Sequence, residues 1–111
     1  MQIGDLYWCD FGSQAGSDKI NKERPVIVVK CEPNSTLVHV VPLTGNLNKR
    51  QNARHIRVQG FGLEKTSIAL IEQVCPVDRD ALRDYIDCMK GSETLEKILT
   101  SLARFFKPDA A

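Results

Sequence analysis

From Ile3 to Cys75 the chain is a succession of short apolar runs, each cut off by a proline, a glycine or a cluster of polar residues. That punctuation constrains the fold more than any other feature. The clearest run is Val26-Ile27-Val28-Val29, led by Pro25. Four β-branched residues in a row lose side-chain freedom in a helix and suit a pleated sheet. Pro25 has no N–H to give to a ladder, so the strand must start there or lie at an edge. Ile3 to Asp10 alternates and is rich in aromatics, which predicts a first strand. Arg24 to Cys31 is the second, and Thr36 to Leu43, ended by Pro42, the third, across a turn at Glu32 to Ser35. Ala53 to Val58 is a short fourth and Ser67 to Cys75 a fifth, stopped by Pro76. "VDRDAL" reads as a single helical turn and Tyr85 to Met89 as a last short strand.

The period changes near the end. Leu95, Ile98, Leu99, Leu102, Phe105 and Phe106 follow helical spacing, with Ser92 as N-cap, Glu93 at the positive end of the helix dipole and Pro108 as the stop. The stripe is a docking face for a sheet. With 111 residues there is room for one domain, spanning 1–111, and one core. Short strands, polar turns and one terminal helix predict a mainly β fold, a small barrel or a strongly bent antiparallel sheet, carrying a C-terminal amphipathic α-helix.

Several function classes are disfavoured. The net charge of +1 excludes a strong global field but not a local basic patch. Lys49, Arg50, Arg54 and Arg57 form one such group without an acid among them, and Lys19, Lys22 and Arg24 another. The four cysteines, Cys9, Cys31, Cys75 and Cys88, have no CxxC spacing and no nearby histidine, so they read as reduced, small apolar residues rather than zinc ligands. No metal or other cofactor is expected. The opening "MQIGDLYWCDFG" lacks the features of a signal peptide, and no apolar run is long enough to span a membrane, so a cytoplasmic protein is expected.

Two histidines are an obvious acid–base pair for cutting RNA. His39, inside "LVHVV", reads as a packed or sheet-face residue; His55 shares a face with Arg57 and reads as a plain exposed histidine ahead of one that touches a phosphate. Arg24 and Thr44 stand out for another reason. Arg24 comes just before "PVIVV" and Thr44 just after "VVPL". If the second and third strands pair antiparallel across their turn, the two become neighbours at one rim. A guanidinium and a hydroxyl there suit a phosphate.

Taken in order, "GDLYWCDFG", "GSDK", "RPVIVV", "VVPLTGN" and "SIALIEQVCPVDRDAL" resemble the MazF/PemK family of toxin ribonucleases, over Gly4 to about Leu82. The resemblance implies an SH3-like, plasmid-maintenance-toxin barrel acting as a homodimer. It implies an endoribonuclease that cuts single-stranded RNA at short motifs without a metal and is neutralised by a cognate antitoxin protein. Arg24 and Thr44 would be the catalytic pair. Ser17 and Asp18 would be the first-loop Ser and acid, and Gln73 would lie near the RNA. Around them, Lys19, Lys22, Lys49, Arg50 and Arg54 would bind backbone phosphate, Phe11 and Trp8 would stack bases, and Gln14 and Asn46 would read base edges. Lys19 stands where the family commonly has Gln, and Glu23 is placed to pair with Arg24. Two other readings are a CcdB-like gyrase poison, which shares the fold and works by contact alone, and a non-toxic SH3-like module binding peptides through Tyr7, Trp8 and Phe11.

Overall fold

A computed structural model describes residues 1–12, 23–47 and 54–108. Within them lie strands β1 (Asp5–Asp10), β2 (Glu23–Cys31), β3 (Leu37–Thr44), β4 (His55–Val58), β5 (Ser67–Leu70), β6 (Cys75–Asp78) and β7 (Leu82–Cys88). One helix follows, α1 (Glu93–Phe106), and short 3-10 helices occupy Ile71–Gln73 and Arg79–Ala81. The strands are hydrogen-bonded in the order β4-β5-β3-β2-β1-β7, with β6 also on β3, and every pairing is antiparallel.

β3 organises the sheet. One of its edges pairs with β2 along most of its length. Its other edge is shared: Leu37 to Val40 face β6, while Leu43 and Thr44 face β5. The predicted fifth strand, Ser67 to Cys75, is therefore broken in two. Ile71–Gln73 interposes a tight turn, and the chain swings from one half of β3 to the other. Pro76 does not stop a strand either. It lies inside β6 opposite His39, where β6 pairs β3 alone and the missing N–H is harmless. Among the described residues the sheet has two free ends, β4 and β7, so it is strongly bent but not a closed barrel.

The bend creates two apolar clusters. On one face Leu6, Ile27, Val41 and Leu43 meet Leu95, Ile98 and Leu102 from α1. On the other, Cys9, Val26, Val28, Val38 and Val40 are fully buried. The alternation of β2 explains why both faces of "VIVV" are apolar: Val26 and Val28 serve one cluster, Ile27 and Val29 the other. α1 starts as its sequence predicts, with Ser92 Oγ accepting from the Leu95 N–H at 3.1 Å. Phe105 finishes the core beneath the helix, and Phe106 is exposed. No described helix is long and apolar enough to cross a membrane.

Candidate functional site

The site begins with a register. Val26 of β2 lies opposite Pro42 of β3. Arg24 lies two residues before Val26 and Thr44 two residues after Pro42, so both stand at the same end of this strand pair. Both line a groove of about 400 Å³ at the end of the sheet. β1 supplies Trp8, half-buried and paired in register with Pro25. The turn before β5 supplies Leu63, Glu64 and Lys65, because β5 also pairs with the end of β3, Thr44 opposite Ile68.

Local chemistry fits a phosphate. Arg24 is exposed and takes part in no ion pair among the described residues. Glu23, which the sequence places to pair with it, lines the same groove without doing so. Thr44 Oγ1 accepts from the Asn46 N–H at 3.2 Å, which orients the oxygen and leaves its proton to donate outward. A guanidinium, a directed hydroxyl and an indole thus share one cleft.

Not every expected site residue is seen in the groove lining. Asn46 is exposed beside the groove, and its backbone holds Thr44. Phe11 is packed against the cluster of Cys9 and Val26, so its ring serves the core. Gln73 is exposed on the 3-10 helix at the far end of β5 from Ser67, away from the groove. Arg54 carries its guanidinium 5.3 Å over the Phe105 ring, between β4 and α1. Gln14, Ser17, Asp18, Lys19, Lys22, Lys49 and Arg50 lie outside the described residues.

His55 overturns its expectation. Its side chain is only 6% exposed, and its Nε2 lies 3.0 Å from Glu72 Oε1. The β4–β5 register sets His55 opposite Leu70, and the tight turn just after Leu70 brings Glu72 round to meet it. This histidine braces an edge strand. His39 is exposed on the outer face of β3, far along the strand from Thr44. The two histidines do not form an acid–base pair.

Lys65, Glu64 and Leu63 are groove residues that sequence reasoning missed. The signal was available: a turn that feeds a strand paired with β3 must arrive at the same rim as Thr44. At the other side of the rim Asp10 ties off β1. The Gly12 N–H donates to its Oδ1 at 2.9 Å and Arg83 lies 3.2 Å from its Oδ2, and these hold its carboxyl below the ordinary range.

The fold defines a class before any family does: a small bent antiparallel sheet with one docked helix. Solved structures share it. A Mycobacterium tuberculosis toxin, MazF-mt6, superposes with a TM-score of 0.72 at 21% identity, over 96% of this chain and 99% of that one. MazF from Deinococcus radiodurans gives 0.73 at 17% identity, over 95% and 94%. An endoribonuclease from a mycobacterial species, solved in complex with its cognate antitoxin, gives 0.67 at 21% identity, over 92% and 88%. Among curated proteins, endoribonuclease MazF of Staphylococcus saprophyticus is 27% identical over 101 residues, 86% of this chain and 83% of that protein. The family model for the PemK-like, MazF-like toxins of type II toxin–antitoxin systems matches residues 2–106, and the chain belongs to that family.

Proposed function

We propose that this protein is a MazF-like endoribonuclease, the toxin of a toxin–antitoxin pair, which cuts single-stranded RNA in the cytoplasm as a homodimer. The observation that carries the reading is the β2–β3 register, which delivers Arg24 and Thr44 to one open groove. The 2′-OH of one nucleotide attacks its own 3′ phosphate. The new P–O2′ bond forms as the P–O5′ bond breaks, and the proton lost from the 2′-OH is matched by one gained at the leaving 5′ oxygen. The products are a 2′,3′-cyclic phosphate and a 5′-OH. Arg24 offsets the charge that grows on the phosphorane oxygens, and Thr44 donates to the same oxygens or orients the 2′-OH. Trp8 offers a stacking face for a neighbouring base. This step needs no metal. The antitoxin, on this reading, covers the groove and competes with RNA for Arg24.

The test is to incubate the purified protein with a long single-stranded RNA in EDTA, alongside Arg24→Ala and Thr44→Ala, and to map the new 5′ ends. Discrete cuts by the wild type, lost in both variants, are expected. Intact RNA with a folded sample would refute the reading and turn attention to gyrase and peptide binding.

A further inference from the structure

We infer that Lys65 is a second, pre-placed cation of the groove, binding an RNA backbone phosphate next to the one held by Arg24 and Thr44. This rests on the nuclease reading and adds a residue to it. Three observations converge. First, Lys65 lines the groove with Arg24 and Thr44 and, although Glu23 and Glu64 line it too, takes part in no ion pair among the described residues.

Second, its stem lies across Gly45, the residue that follows Thr44. A Cβ added at Gly45 would stand 2.5 Å from Lys65 Cε and 3.1 Å from its Nζ. A side chain at 45 would make the end of the Lys65 side chain shift from where it lies. Third, the backbone under Lys65 is tied down, because the buried Ser67 Oγ donates to the Lys65 carbonyl at 3.2 Å. A lysine on a free surface swings through many rotamers. Here the base is pinned and the stem rests on a flat backbone, so less freedom is lost when a phosphate is bound. As a compact point charge, Lys65 suits a phosphate that needs attraction rather than two-pronged orientation.

The probe is a single-stranded oligonucleotide bearing the mapped cut motif, with a 2′-deoxy sugar at the cut so that it binds without reacting. Its Kd is measured against salt for the full-length wild type and for Lys65→Met and Gly45→Ala, while KM and kcat are measured on the matching RNA. Losing one phosphate contact on a single strand should reduce the salt slope by about 0.7, which amounts to roughly a two- to threefold smaller change in affinity between about 50 and 200 mM. Lys65→Met should show that reduced slope and a raised KM with kcat little changed, and Lys65→Arg should restore both. Gly45→Ala should weaken binding in the wild type but add nothing in the Lys65→Met background. A wild type that cuts RNA while Lys65→Met keeps the full slope and KM would overturn the inference alone. A wild type that neither binds nor cuts would overturn both it and the nuclease reading.

Discussion

At Arg24 the neighbours do the positioning. Pro25 restricts the backbone on one side, and Val26 and Ile27 are fully buried beyond it, so the guanidinium projects from a rigid base. Replacing it with Ala should lower the cleavage rate by about 10²–10³, the usual loss when one donor to a developing oxyanion is removed. Arg24→Lys should recover little, since an ammonium lacks the planar fork; rates under single-turnover conditions check both. Cys9 makes the opposite case of a reactive group kept inert. Burial, and then the nearby Cys75 and Asp10, push its thiol up to about 11 from 9.0. A raised acid pKa in the fold means that stability is intact below about pH 9 and falls as pH rises from there through about 11. Native protein at neutral pH should leave Cys9 unalkylated, and denaturant titrations should show the alkaline loss shrink in Cys9→Ala. What was legible at this scale was that Arg24 and Thr44 share one groove, because junction residues can be paired from the turn between their strands. Phe11 and His55 were not, since their roles depend on which face a bent sheet turns inward.

Among the elements, the turn feeding β5 contributes the most residues to the groove, Gly62 to Lys65, ahead of β2 and β3. Gly62 lines the groove at φ +76, and a Cβ there would meet Ile86 Cγ2 at 3.2 Å and the Ile86 carbonyl at 3.3 Å. Gly62→Ala should destabilise by about 1–2 kcal/mol from backbone strain alone, read as a shift in denaturation midpoint. In α1, Ser92→Ala should cost about 1 kcal/mol by losing the cap to Leu95. Ile98→Ala, at a fully buried position, should cost about 2–5 kcal/mol by opening a cavity between helix and sheet. The helix was legible to within its caps because its apolar stripe and Ser92 agree. The division of the predicted fifth strand was not. Ser67 to Cys75 is apolar enough for one strand, and only the bend of the sheet forces the 3-10 turn at Ile71–Gln73.

For the whole molecule, the bend of the sheet matters more than closure. Among the described residues the sheet is open, with free ends at β4 and β7, and still gathers β1, β2, β3 and the turn before β5 at one rim. The two apolar clusters behind that rim hold it rigid, one of them buttressed by α1. Mainly β architecture with a terminal helix could be read from periodicity; the open topology could not, because edge pairing is a long-range choice that no local run encodes. The central claim is that this topology sets Arg24 and Thr44 on the same phosphate. A double-mutant cycle tests it most directly: single-turnover cleavage of one mapped RNA site by the wild type, Arg24→Ala, Thr44→Val and the double variant. Groups acting together on one transition state are strongly non-additive. The double variant should therefore lose little more than the worse single one. Full-rate cleavage by either single variant, or losses that multiply in the double, would contradict the account.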